Sequence, residues 1–284
     1  MGFRWDRATL WAPDREAAGG RATRYGMPGG SAIGSWSLLV DDFLLVFGIA
    51  CLAAFLTYLG APVAERFDVS HRVVSAALQF AAGIICALVA LTLMPPAIRA
   101  GSAALVALAF FVGGAIFVSV EYFSARRLAD PSVRAPGSQV TSLGLYVGVL
   151  VDMLIDGVVI GIGSTLTLGT GLLLALGIAI STAPLAFVTT ATAKRQGMLY
   201  ERRRLLSILM FLCVLAGAVL GYVLLQHQSL EIRLTLIAIA SGFLITTVTQ
   251  SIIPEANRDG EPSLAGILFV AGISLYAVLT VYAR

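Results

Sequence analysis

The stretch TSLGLYVGVLVDMLIDGVVIGIGS, Thr141–Ser164, decides what kind of protein this is. It is apolar and glycine-rich from end to end, and it carries two carboxylates, Asp152 and Asp156. A helix needs ~20 apolar residues to cross the hydrocarbon core of a bilayer, and this run is long enough. The spacing i, i+4 puts both carboxylates on one helical face, one turn apart. Asp152 lies about 16 Å along the helix from Thr141 at ~1.5 Å per residue, near the middle of a bilayer. An aspartate there costs ~2.5–3.5 kcal/mol on insertion scales. Two of them in one membrane helix call for a function.

The rest of the chain has the same character. Of 284 residues, 58% are hydrophobic and 12% are charged. That is about half the charged share of soluble domains, roughly 25%. With a mean hydropathy of +0.90 and 29 glycines, the composition predicts an all-α integral membrane protein. It excludes a soluble enzyme, a disordered chain and a disulfide-stapled secreted domain. The net charge of +3 comes from dispersed residues with no basic face, so no nucleic-acid partner is expected. Cys51, Cys86 and Cys213 each sit in an apolar run with no CxxC spacing. They read as packing residues rather than as a disulfide framework or zinc knuckle.

Eight spans are predicted, roughly over 40–62, 73–97, 102–123, 140–164, 167–192, 205–226, 232–254 and 262–282. Pro62, Pro95, Pro96, Gly101, Gly137 and Pro262 fall near their ends, where they cost little. Residues 1–35 hold arginines and acids between Gly and Pro, with no continuous apolar stretch. They read as a disordered polar tail rather than a signal peptide, and 36–284 as the eight-helix domain. The loops after odd-numbered spans carry eleven Lys and Arg, including Arg66, Arg72, Lys194, Arg195 and Arg258. The opposite side has Arg99, Arg233 and Arg284, apart from the tail. The positive-inside rule then puts both termini outside a cell membrane that the chain crosses many times.

The chain also resembles itself. A shift of 159 residues lays Gly83 on Gly242, Pro95 on Pro254, Ala97 on Ala256, Arg99 on Arg258 and Gly101 on Gly260. Leu105, Phe110 and Gly113 then meet Leu264, Phe269 and Gly272. Spans 2–3 therefore resemble spans 7–8. An odd number of crossings separates spans 2 and 7, so the two copies are inverted. Inverted repeats are frequent in secondary transporters, whose sites lie near the midplane at the repeat interface. The expectation is a 3+2+3 arrangement, with spans 4 and 5 at the centre.

Apart from Arg233 at the outer end of span 7, no Lys or Arg occurs inside a predicted span, so no buried salt bridge is available to the two aspartates near the midplane. Protons or a bound cation remain. Two close carboxylates in a low dielectric resist joint ionisation, so an empty site is expected to hold a proton. Gly157 and Gly161 share the helix at GxxxG spacing, as do Gly144 and Gly148, which suits close packing of a neighbouring backbone. Span 5 carries Ser181, Thr182 and Pro184 at similar depth. Pro184 cannot donate to the carbonyl of Ile180, which predicts a kink and a freed oxygen beside two hydroxyls. Those hydroxyls either back-bond to their own helix or face a ligand. Thr246 and Gln250 form a polar i, i+4 pair in span 7, and Gln79 lies in span 2. Asp41 and Asp42 open span 1, where acids suit a helix N-terminus.

With these residues in view, the chain over about 38–284 resembles the ZIP (Zrt/Irt-like) metal permease family, nearest its GufA-like branch. The resemblance rests on Gln79-Phe-Ala-Ala-Gly83 through Leu93-Met-Pro-Pro-Ala97, on Asp156-Gly-Val-Val-Ile-Gly161, and on Ser241-Gly-Phe through Ile252-Ile-Pro-Glu-Ala256. It implies eight spans with outside termini, a homodimer, and a metal held between spans 4 and 5. Carried over by position, the fourth-helix ligands of that family become Asp152, Met153 and Asp156. Those of the fifth become Ser181, Thr182 and, after Pro184, Leu185. The seventh-helix acid becomes Gln250 or Ser251, and the second-helix methionine becomes Ile85. The scaffold is kept while most ligands are replaced, and the His-rich loop between spans 3 and 4 is absent.

The expected function is therefore divalent metal permeation, of the zinc, iron or manganese class. Asp152, Asp156, Ser181 and Gln250 would be the metal site. Thr182, Pro184, Gly157, Gly161 and Thr246 would line or shape the pathway. The metal is substrate; no cofactor and no catalytic residue is expected, and the partners are the ion and the lipid bilayer. An all-oxygen donor set suits Mg, Ca or Mn, whereas the family favours transition metals. The alternative is a ZIP-like protein that has lost classical metal transport and serves a regulatory role or carries another small solute. An intramembrane aspartyl protease is disfavoured, because both aspartates share one helix and no GxGD motif occurs.

Overall fold

The computed structural model describes residues 32–67, 70–100, 102–128, 142–258 and 264–282. Most of the expected N-terminal tail, the loop between spans 3 and 4, and the last loop's residues 259–263 lie outside these. The chain divides into Met1–Asp42 and Phe43–Arg284. Of the first unit, residues 32–42 are described as the opening of a helix, Ala32–Tyr58, so the helix starts a few residues before the expected end of the tail. Everything below concerns the second unit.

The described residues form helices joined by short turns, with no strand among them. Eight helices are long and apolar enough to cross a membrane: Phe43–Arg66, Arg72–Arg99, Ala103–Phe123, Gly148–Leu166, Leu168–Arg195, Tyr200–Leu225, Leu230–Ala256 and Ala265–Tyr282. They are numbered spans 1 to 8. Their exposed faces carry large apolar side chains such as Phe55, Phe111, Leu224 and Ile267, as a lipid-facing surface requires.

The 159-residue shift reappears in the backbone. The helices His71–Leu88 and Leu230–Thr247 are each followed by a π-helical turn, Val89–Leu93 and Val248–Ile252. Each turn closes with a bond five residues back, from Met94 N–H to the Val89 carbonyl and from Ile253 N–H to the Val248 carbonyl. The prolines explain both. Pro95 and Pro254 cannot donate, and in an α-helix their rings would press on the carbonyls of Leu91 and Gln250. A widened turn relieves that clash without ending the helix. Pro62, Pro95 and Pro96, expected near span ends, therefore sit within continuing helices, and Pro262 lies outside the described residues.

Packing repeats as well. A Cβ at Gly83 would collide with the carbonyl of Phe269, and one at Gly242 with that of Phe110. Gly272 meets the Phe80 carbonyl in the same way, and Gly113 that of Ile239. Each pair maps onto the other under the same shift. Span 2 thus lies backbone-close to span 8, and span 3 to span 7. Without a hydrophobic force between helices in lipid, such close approach supplies the van der Waals contact that holds them.

Polar side chains tie the ends. Arg233 donates to the carbonyls of Thr165, Gln226 and Gln228, closing the C-termini of spans 4 and 6 with one guanidinium. At the opposite end, Arg203 grips Glu65 through two bonds, Nε to Oε1 at 2.6 Å and Nη2 to Oε2 at 2.9 Å. It also donates to the Met198 carbonyl. Lys194 donates to the Glu65 carbonyl at 3.3 Å. Spans 1, 5 and 6 meet there. Arg203 is only 9% exposed, so removing its partner leaves a charge short of water. Glu65→Gln is expected to cost about 2 kcal/mol, read as a lowered thermal midpoint in detergent. An unchanged midpoint would mean that the pair is solvated and replaceable.

Candidate metal site

Span 4 is helical from Ser142 to Leu166, and it brings Asp152 and Asp156 into the protein interior. Asp152 is 6% exposed and Asp156 1%. Their neighbours on the helix, Met153, Val159 and Ile160, are equally buried. The burial comes from two sides. On one, Gly157 and Gly161 let span 6 approach until a Cβ at either glycine would collide with the carbonyls of Val214 or Ala218. Gly217 and Gly221 of span 6 answer with the same closeness to Leu154 and Val158. On the other side lies span 5, where Gly171 packs on Ser164 and Gly163 on Leu174. Of the two GxxxG pairs, the second makes this contact. Gly148 meets nothing within 4 Å, and the surroundings of Gly144 lie outside the described residues.

Asp152 Oδ1 accepts a hydrogen bond from Thr247 Oγ1 at 3.2 Å. The same hydroxyl also lies 3.1 Å from the carbonyl of Phe243, so its one proton is shared. Asp156 Oδ2 is buried and has no hydrogen-bond partner among the described residues. Buried carboxylate oxygens are ordinarily satisfied. An orphan here marks a place where a proton or a cation is expected to complete the site.

Span 5 is one continuous helix, Leu168–Arg195, with Pro184 inside it. Ser181 Oγ and Thr182 Oγ1 both donate to the Ile178 carbonyl, at 2.9 and 2.8 Å. Thr182 Oγ1 also lies 2.9 Å from Thr57 Oγ1 of span 1. With the Thr182 proton given to Ile178, Thr57 is the donor in that pair. Both hydroxyls back-bond, leaving Ser181 oxygen lone pairs but no free proton. Ile180, whose carbonyl Pro184 leaves without an N–H partner, is an exposed residue on the same turn.

Span 7 holds the main correction. Thr246 donates to the Gly242 carbonyl of its own helix, and Gln250 is exposed on the π-helical turn. Neither joins the aspartates; Thr247 does. The i, i+4 pairing of Thr246 with Gln250 assumes an unbroken α-helix, whereas the wider turn from Val248 rotates everything after it. The proline at 254 was the available sign of that turn. Gln79 of span 2 donates to Asn257 Oδ1 at 2.8 Å. Beside it, Ser75 donates to the Ala256 carbonyl.

Among the described residues no group of three or more His, Cys, Asp and Glu side chains gathers in one place. The donors near the pair are oxygens: two carboxylates and the Thr247 hydroxyl, with Ser181 on the adjoining helix. Thr247→Val keeps the shape and removes the bond that orients Asp152. Partners that orient a ligand are typically worth 10–100-fold in metal affinity, so a loss of about tenfold is expected in a cation titration. An unchanged affinity would show that Thr247 does not orient the carboxylate.

What these features define is a chain with eight membrane-length helices and a buried acidic pair in the fourth. No protein-family model matches the chain, and no curated protein matches it, so the ZIP resemblance rests on the motifs quoted above.

Proposed function

We propose that this protein is a divalent cation permease of the inner or plasma membrane, with Asp152 and Asp156 as primary ligands and both termini outside. The observation that carries the reading is the orphan carboxylate oxygen of Asp156, one turn from Asp152, in a helix with no cation of its own. The remaining carboxylate lone pairs suit a hard dication, and manganese is the ion common to the oxygen donor set and to the resembled family. Spans 1–3 and 6–8 form the inverted halves around spans 4 and 5. The matching π-turns and reciprocal glycine contacts support this 3+2+3 reading.

Two cavities lie at opposite ends of the bundle. One, of about 530 Å³, is lined by Thr92, Arg99, Thr170 and Leu173. The other, of about 300 Å³, is lined by Phe187, Val188, Lys194 and Arg258. On span 5 Ser181 falls between Leu173, which lines the first, and Phe187, which lines the second. The test is ion uptake into liposomes carrying the purified chain. Asp152→Ala and Asp156→Ala are each expected to abolish uptake with insertion retained. Uptake at the wild-type rate in both variants would end the proposal and favour a protein that no longer carries metals.

A further inference from the structure

The second cavity has a chemistry that cation permeation does not use. It opens where spans 1 and 5 end and span 2 begins, beside the end of span 7. Its rim holds Lys194, Arg195 and Arg258, with Glu255 as the acid among its lining residues. Arg258 Nη1 meets Glu255 Oε1 at 3.4 Å, and Lys194 leans on Glu65, which Arg203 already neutralises. Arg195 is exposed and enters no hydrogen bond or ion pair that is found among the described residues. Among the described residues, Glu65 and Glu255 against Lys194, Arg195, Arg203 and Arg258 leave the place with two positive charges in excess. Such a rim repels a dication. Its walls are of a different kind: Phe67, Val74, Phe187 and Val188. Phe67 is well exposed.

Cations above an apolar, aromatic-lined recess at the end of a helical bundle match one kind of molecule. We propose that this cavity binds an anionic phospholipid. The phosphate would lie against Arg195 and Arg258, and the first methylenes of an acyl chain against Phe67, Phe187 and the two valines. Basic pockets between membrane helices on the positively charged side are the recognised form of such sites. The position agrees, because Arg66, Arg72, Arg202 and Arg204 belong to the same end of the bundle. A free phosphate would satisfy the arginines but leave the apolar walls unused, which is why the lipid is the chosen source. The site does not depend on the metal reading, since it shares no residue with the acidic pair.

The experiment is native mass spectrometry of the full-length chain in detergent, titrated with phosphatidylglycerol or with phosphatidylcholine of the same acyl chains. Wild type is expected to retain one phosphatidylglycerol at concentrations where phosphatidylcholine leaves no adduct. Arg195→Gln with Arg258→Gln is expected to weaken retention about thirtyfold, from two cations near a phosphate. Arg195→Lys with Arg258→Lys should restore most of it, which separates lost charge from lost fold. Arg202→Gln at the same end, and Arg99→Gln at the other cavity, should leave retention unchanged. Three results would overturn the proposal. One is equal retention of both lipids. Another is a loss in Arg202→Gln as large as in the double variant, which would mean diffuse charge rather than a built site. The third is complete displacement of the lipid by millimolar inorganic phosphate, which would make the cavity a phosphate site.

Discussion

Purified protein carrying Asp152→Asn and Asp156→Asn is expected to lose divalent-cation binding by two orders of magnitude or more in calorimetry across Mn, Zn, Fe(II), Mg and Ca. Asparagine keeps the size of each side chain and removes both negative charges, and charge count is the main lever on affinity in an oxygen site. The reference state makes the loss large. Both groups are nearly free of solvent, so no water layer screens their attraction for an ion as it would at the surface. The single variants are expected to differ. Asp152 already accepts a bond from Thr247, whereas Asp156 keeps an oxygen with no partner among the described residues. Asp156→Asn should therefore remove the less committed ligand and cost more. Metal binding to carboxylates displaces any proton they hold, so wild-type affinity should fall as the pH is lowered. Among the described residues no group of His, Cys, Asp and Glu adds an imidazole or thiolate to the pair, so manganese should compete with zinc better than it does at a nitrogen- or sulfur-donor site. Equal binding by wild type and double variant would remove the acidic pair from the metal path. A strong preference for zinc would mean that a nitrogen or sulfur donor enters from elsewhere.

The second large effect is on packing. Gly157→Val with Gly161→Val is expected to destabilise the folded bundle by several kcal/mol, since overpacking costs ~1–3 kcal/mol per site. The atoms that a Cβ would strike belong to the backbone of span 6, at Val214 and Ala218. A helix backbone cannot rotate away as a flexible side chain can, so the two spans must separate. Separation would open the face that buries Asp156. Lost thermal stability should therefore be accompanied by new reactivity of a cysteine placed at Val159, a buried neighbour. Gly148→Ala is the matched control. Nothing lies within 4 Å of its Cβ, and alanine is the better helix former by up to ~1 kcal/mol. That variant should be neutral or slightly more stable. Should the valine pair leave the thermal midpoint unchanged, spans 4 and 6 do not pack as described.

Much of this was legible in one dimension, for a physical reason. A bilayer imposes a length and a polarity on each crossing element, so the apolar runs announce the spans. Their limits moved where proline was taken to end a helix. At Pro95 and Pro254 a π-turn absorbs the ring, and spans 2 and 7 continue to Arg99 and Ala256. The acidic pair was legible because i, i+4 spacing within one helix needs no tertiary knowledge. The rest of the site was not. Whether Ser181 bonds to its own helix or to a neighbour depends on which rotamer the packed surroundings permit. Whether Thr246 or Thr247 faces Asp152 depends on how packing turns span 7 about its own axis, and where Gln250 faces depends on the rotation introduced after residue 247.

Residue order alone thus determined an all-helical chain with eight membrane-length helices, two carboxylates on one face of the fourth, and a repeat displaced by 159 residues. These follow from local composition and helical period. The tertiary structure decided which surfaces meet: span 2 with span 8, span 3 with span 7, span 4 with span 6. It also decided that Thr247 reaches Asp152, that Glu65 and Arg203 close one end, and that Arg195 and Arg258 share a cavity. Such contacts join residues far apart in the chain, and only the packing of whole helices, glycine against backbone, brings them within a few ångströms.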